Sequence, residues 1–92
     1  MTDLSPAQTS ALAYLEQTVA DQLAFTKDLI RTPSPNPPGD ERAVASLVCS
    51  RLAELGITDV VTVASEETRP NLIVRIPGSM PGRSLMLSGH LD

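Results

Sequence analysis

The proline-rich run at residues 32–39, TPSPNPPG, constrains the fold more than any other feature of this sequence. Each proline removes a backbone N–H donor and disfavours the helical conformation of the residue before it. No helix can continue through such a run. The run therefore predicts a stiff loop, not a flexible linker, that separates two helical segments.

A long helix is predicted before this loop. Ser5 is suited to be its N-cap, Pro6 suits its first helical position, and Gln8 is placed to complete a capping box with Ser5. The apolar residues that follow recur at steps of three, four or seven: Leu12, Leu15, Val19, Leu23 and Ile30. We expect this apolar stripe to pack against another part of the protein.

A second helix is predicted to begin near Asp40 and Glu41, because acidic residues suit the positive end of the helix dipole. Gly56 is a natural left-handed stop. The expected buried face consists of Val44, Leu47, Val48, Leu52 and Leu55. Arg51 lies within this face, and we expect its stem to pack while its charge reaches water. Cys49, the only cysteine, is expected to be a small, partly buried residue.

Three strands are predicted after Gly56. Residues 57–63 and 71–76 are rich in β-branched side chains, and residues 84–89 contain the apolar run Leu85, Met86 and Leu87. A continuous apolar run is typical of a strand that is covered on both faces, as in the middle of an α/β sheet. The predicted fold class is therefore α/β, with two helices followed by three strands.

Composition and charge exclude several classes of partner. The chain of 92 residues has a formal net charge of −4, so it offers no basic surface for nucleic acid or an anionic membrane. No apolar stretch approaches the roughly 20 residues that span a bilayer. The first six residues lack the pattern of a secretory signal, and one cysteine cannot form an internal disulfide. The sequence thus predicts a cytoplasmic location.

The only histidine, His90, is followed two residues later by Asp92. In an extended segment these two side chains point to the same side. A neutral imidazole can bind zinc while a neighbouring carboxylate fixes its orientation, and open α/β sheets place ligands at the ends of strands. The pair is therefore a candidate metal site, although a histidine and an aspartate at this spacing also occur as ordinary surface residues.

Four motifs occur in the order TPSPNPPGDERAVA, LAELGI, RPNLIVRIPG and SLMLSGHLD. In residues 29–92 this order resembles the N-terminal part of the metallopeptidase family that contains aminoacylase, acetylornithine deacetylase, succinyl-diaminopimelate desuccinylase and carboxypeptidase G. The resemblance implies that residues 1–92 are the N-terminal portion of a zinc-peptidase-like α/β/α catalytic domain.

The resemblance also implies a function. Enzymes of this family cleave amide bonds of N-acyl amino acids or small peptides with two zinc or cobalt ions, and some form homodimers. By this resemblance His90 is a metal ligand and Asp92 is the catalytic aspartate that supports the metal centre. The resemblance does not identify any substrate-binding residue.

The family's other metal ligands and its general base, a Glu-Glu pair included, have no match in these 92 residues. Glu66 and Glu67 precede the segment that carries His90, so they are expected to form a solvated surface patch. The chain is therefore expected to be an N-terminal fragment that is inactive alone. Two alternatives stay open: a non-catalytic binding or regulatory remnant, and a small interaction domain with an accidental likeness to the family.

Overall fold

The structure, a computed structural model, describes residues 3–92 and divides into two compact units after Arg31. The elements in chain order are α1 (Pro6–Gln17), α2 (Val19–Arg31), α3 (Arg42–Glu54), β1 (Val60–Val63) and β2 (Asn71–Val74). The helices α1 and α2 belong to the first unit, and the other elements belong to the second. This mixed content of helix and strand agrees with an α/β class at a coarse level.

The first helix begins as predicted. The Ser5 hydroxyl accepts a hydrogen bond from the Gln8 backbone N–H at 3.1 Å, and the Ser5 backbone N–H donates to Gln8 Oε1 at 2.8 Å. This is the reciprocal capping box, with Pro6 at the first helical position. It satisfies two backbone donors at the start of α1 that would otherwise have no partner within the helix.

The prediction of one long helix is wrong at Thr18, where the chain turns between α1 and α2 with φ −107° and ψ 13°. The Thr18 hydroxyl donates to the Tyr14 carbonyl at 2.8 Å, and Gln22 Nε2 donates to the Leu15 carbonyl at 3.0 Å. Side-chain donors of this kind compete with the backbone bonds of a helix and bend it. The apolar period continues across Thr18, so the period alone does not reveal this break.

The apolar stripe of the first unit does not pack as expected. No residue of α1 or α2 is buried, and the exposure of the stripe ranges from 46% at Leu12 to 79% at Ile30. The period of the apolar residues is helical as predicted, but within residues 3–31 no other segment buries this side of the helices.

The core of the second unit is small. Helix α3 begins at Arg42, close to the predicted start, and Gly56 follows it with φ +80° as the left-handed stop. Val44 and Ala45 of α3 are buried, at 3% and 5% exposure, and Pro70 is buried as well. The rest of the predicted face is less covered, since Leu47, Val48 and Leu52 are half-buried and Leu55 is exposed. Apolar burial in this unit is therefore centred on the first turn of α3.

The two polar predictions for α3 agree with the structure. Cys49 is half-buried, as expected of a small residue on the flank of the helix. The Arg51 side chain is 31% exposed, and its guanidinium lies 3.1 Å from Glu54 Oε2. The arginine therefore packs part of its stem and pairs its charge near the surface.

Asp40 precedes α3 and forms hydrogen bonds with Arg42, the first residue of this helix. Its Oδ1 accepts from the backbone N–H and from Nε of Arg42, at 3.2 and 3.0 Å, and its Oδ2 lies 2.7 Å from Arg42 Nη2. These bonds lower the pKa of Asp40 from 3.8 to about 2, the largest cause being the side-chain bond to Arg42. Ionised Asp40 therefore favours the folded start of α3.

The contact between Asp40 and Arg42 predicts that the chain loses helix content in acid. Because the pKa of Asp40 is lower in the folded state than in the unfolded state, its contribution is complete above about pH 4 and disappears as the pH falls through 2. The helical circular dichroism signal of the chain should decrease between pH 5 and pH 2. Asp40→Asn should lose less signal over this range. Equal losses in both chains would contradict the prediction.

The sheet is a two-stranded antiparallel ribbon in which Val60 pairs with Val74 and Val63 pairs with Asn71. Both strands lie within predicted ranges but are shorter. The third predicted strand, residues 84–89, is wrong: the segment has no strand structure, and Leu85, Met86 and Leu87 are 84–88% exposed. A strand needs a neighbour that pairs with its backbone groups, and β1 and β2 pair only with each other among residues 3–92.

No helix within residues 3–92 is long and apolar enough to cross a bilayer.

Candidate functional site

His90 and Asp92 lie side by side, as the sequence predicts. His90 Nδ1 is 3.3 Å from Asp92 Oδ1. The imidazole is 93% exposed, whereas the carboxylate is 29% exposed. The predicted position at the end of a strand is wrong, because residues 84–92 form no strand. The pair is nevertheless a histidine that is open to solvent beside a carboxylate that is partly exposed.

Asn36, from a distant part of the sequence, contacts this pair, and Arg69 contacts Asn36 in turn. Asp92 Oδ2 accepts a hydrogen bond from Asn36 Nδ2 at 3.4 Å, and Asn36 Oδ1 accepts one from Arg69 Nη2 at 3.0 Å. We call these four residues, His90, Asp92, Asn36 and Arg69, the Asp92 cluster. Because Arg69 can only donate, its bond selects the orientation of the Asn36 amide that presents an N–H group to Asp92.

The proline-rich loop places Asn36 and makes room for Arg69. The Asn36–Pro37 and Pro37–Pro38 peptide bonds are cis, and the Gly39 N–H donates to the Pro35 carbonyl at 2.8 Å. Gly39 is buried with φ +78°, a backbone conformation that favours glycine. A Cβ atom at Gly39 would overlap the Arg69 guanidinium, whose Nε and Cζ would lie 2.7 and 2.8 Å away.

Two further hydrogen bonds tie the segments of the cluster together. The Ser34 hydroxyl donates to the Leu91 carbonyl at 2.8 Å, between the two residues of the His90 and Asp92 pair. The Glu41 backbone N–H donates to the Thr68 carbonyl at 2.8 Å, next to Arg69 in the sequence. The proline-rich loop and Glu41, two residues after it, therefore contact both of the other segments that build the cluster.

The charge of the site is set by its hydrogen bonds. The bond from Asn36, and after it the bond from His90, lowers the pKa of Asp92 below its ordinary value of 3.8. Asp92 is therefore a carboxylate at neutral pH. Since Nδ1 of His90 faces this carboxylate, Nε2 is the imidazole nitrogen left to bind a metal or a substrate.

His90 and Asp92 are the types of residue that bind zinc, but two ligands are fewer than a catalytic zinc takes. An imidazole nitrogen and a carboxylate are ordinary zinc ligands, and a carboxylate that orients a ligating histidine is common at such sites. A catalytic zinc takes three protein ligands, however. Among residues 3–92 no group of three histidine, cysteine, aspartate or glutamate residues could hold a metal ion. Glu66 and Glu67 are exposed, in agreement with a surface patch. His90 and Asp92 are thus two candidate zinc ligands, fewer than a catalytic zinc takes.

Comparison with known proteins adds no relative. No family model, curated protein or solved structure matches this chain. The resemblance to the metallopeptidases therefore depends on the four motifs of the sequence, and any function has to be argued from the geometry of the Asp92 cluster.

Sequence reasoning missed Asn36, Arg69 and Ser34. The sequence predicts residues 32–39 only as a stiff connection, and it assigns no contact to Arg69. The one available signal was that all three lie in the motifs TPSPNPPGDERAVA and RPNLIVRIPG. Ser34 and Asn36 contact residues 91 and 92, which are 57 and 56 positions away, and Arg69 contacts Asn36, 33 positions away; no local pattern reveals such contacts.

Proposed function

We propose that this chain supplies part of the metal centre of a hydrolase that cleaves amide bonds in N-acyl amino acids or small peptides. In this proposal residues 1–92 are the N-terminal portion of an α/β/α catalytic domain. His90 is a metal ligand, and Asp92 is the catalytic aspartate beside it. Two zinc ions, or cobalt, complete the site together with ligands and a general base from outside these 92 residues.

The convergence of three motifs on Asp92 supports this proposal. The loop at residues 32–39, Arg69 and the pair of His90 and Asp92 belong to the segments on which the family resemblance depends, and they meet in one cluster. An accidental likeness gives no reason for these segments to meet. A small interaction domain would also not need the Asp92 cluster for its stability, because His90 and Asp92 contribute nothing to the buried core.

The residues of the cluster suit a supporting role in amide hydrolysis. When bound, a metal pair polarises the amide carbonyl and makes a nucleophile of a water molecule. His90 offers Nε2 as a ligand, and its exposure of 93% leaves that nitrogen accessible. Asp92 Oδ1 lies 3.3 Å from His90 Nδ1, where the carboxylate can hold the imidazole in one orientation.

The test uses the protein expressed from its full reading frame. Its metal content is measured by elemental analysis, and hydrolysis is assayed on a panel of N-acetyl and N-succinyl amino acids and dipeptides. We expect bound zinc or cobalt and hydrolysis that stops after chelation and returns with added metal. A protein that binds no metal, or that hydrolyses the panel equally well after chelation, would contradict the proposal.

The 92-residue chain alone should bind zinc weakly and should not hydrolyse the panel. Two donors are fewer than the three that hold a catalytic zinc. Calorimetry at micromolar protein should show no stoichiometric zinc binding, while excess zinc should shift the NMR signals of His90 first. Cys49→Ala, which removes the only thiol, should behave like the original chain. Tight binding that His90→Ala abolishes would show that the chain forms a complete site.

A further inference from the structure

Asn36 and Arg69 lie behind Asp92 on the side away from the imidazole. Asp92 uses Oδ1 toward His90 and Oδ2 toward Asn36, so the two oxygens have different partners. Asn36 in turn uses Nδ2 toward Asp92 and Oδ1 toward Arg69. The four side chains therefore form one chain of contacts in the order Arg69, Asn36, Asp92 and His90.

We propose that Arg69 and Asn36 are positioning residues that hold the Asp92 carboxylate, and through it the His90 imidazole, in the orientation for metal binding. This inference rests on the proposed function. Neither residue needs to touch the metal. Arg69 acts on Asn36, Asn36 acts on Asp92, and Asp92 acts on His90.

The direction of each hydrogen bond supports this order. An asparagine amide can rotate by half a turn and exchange its oxygen with its nitrogen. A rotated Asn36 would turn its oxygen toward Asp92, where two acceptors would repel each other. Arg69 prevents this because a guanidinium has donors only, so it holds the Asn36 oxygen on its own side. Arg69 therefore decides what Asn36 presents to Asp92.

The backbone around the cluster fixes where Arg69 and Asn36 can meet. The guanidinium occupies the space that a side chain at Gly39 would fill, and Asn36 lies three residues before that glycine in the same loop. The bond from Ser34 to the Leu91 carbonyl holds the loop against residues 90–92. The contact between Asn36 and Asp92 thus lies between the hydrogen bond of Ser34 to Leu91 and the space that Gly39 leaves for Arg69.

The experiment measures the dissociation constant of Co²⁺ from the visible absorption spectrum during titration of the metal-free protein expressed from its full reading frame. Asn36→Asp replaces the donor that faces Asp92 with a charged acceptor of the same shape. We expect this variant to bind Co²⁺ between about 10- and 100-fold more weakly, the usual cost of losing a residue that orients a metal ligand. Arg69→Ala should weaken binding in the same direction, and Arg69→Lys should restore part of the affinity because it keeps a donor.

Two controls separate positioning from loss of structure. Asn71→Asp makes the same change of charge at an exposed residue of β2, and Arg75→Ala removes an exposed arginine just after that strand. Neither should change the affinity for Co²⁺. The double variant Asn36→Ala/Arg69→Ala should bind Co²⁺ as Asn36→Ala does, because Arg69 acts only through Asn36.

The results distinguish a failure of this inference from a failure of the proposed function. Co²⁺ binding by the original protein with the same affinity in Asn36→Asp would overturn the inference and leave the proposed function standing. Additive losses in the double variant would also overturn it, since they would show that Arg69 acts independently of Asn36. An original protein that binds no Co²⁺ would overturn the proposed function and, with it, the inference.

Discussion

The isolated 92-residue chain is expected to unfold gradually, without a sharp thermal transition. Ordering one residue costs about 1–2 kcal/mol of backbone entropy, and burial of apolar side chains is the main source of compensation. Among residues 3–92 the buried apolar side chains are Val44, Ala45 and Pro70, which is very few. The ribbon of β1 and β2 has two strands, fewer than a sheet needs for independent stability.

The exposed run Leu85, Met86 and Leu87 should also make the chain associate. These three side chains are 84–88% exposed and adjacent, which is the composition of a segment prone to pair with other chains. Differential scanning calorimetry and light scattering test both expectations together. Met86→Lys should reduce association, whereas Ser84→Lys, with the same added charge beside the run, should reduce it less. A sharp two-state melt of a monodisperse monomer would contradict this prediction.

Local chemistry made part of the fold predictable. The capping box of Ser5 and Gln8 and the stop at Gly56 depend on residues close in sequence, and both occur as expected. The break at Thr18 depends on a Gln22 side chain that reaches back seven residues to a carbonyl, which apolar spacing does not record. The strand predicted at residues 84–89 is wrong for another reason. The apolar composition of the segment is typical of a strand, but a strand forms only where a neighbouring strand pairs with its backbone groups.

The candidate site was predictable to a similar extent. The spacing of His90 and Asp92 was enough to expect neighbouring side chains, since residues two apart in an extended backbone face the same way. The partners behind Asp92 come from 56 and 23 positions earlier in the sequence, at Asn36 and Arg69. Such contacts depend on how the loop at residues 32–39 folds against the rest of its unit. Their role in metal binding stays a prediction.

The largest effect on activity is expected from His90, in the protein expressed from its full reading frame. In the proposed function His90→Ala removes a metal ligand, and among residues 3–92 no group of three histidine, cysteine or acidic residues offers a replacement. One of the two metal ions should be lost, and turnover should be abolished. Elemental analysis and the amide hydrolysis panel measure the two effects on the same sample.

Asp92→Asn should behave differently from His90→Ala. The amide keeps the shape of the carboxylate but removes its charge, and it no longer serves as a strong acceptor for the His90 imidazole. With metal supplied in excess, the variant should retain both proposed ions while its kcat falls, because the histidine still binds but is less firmly oriented. The contrast between the two variants is the decisive result. Full activity in either variant would refute the assigned roles, and equal loss of metal in both would place Asp92 among the direct ligands.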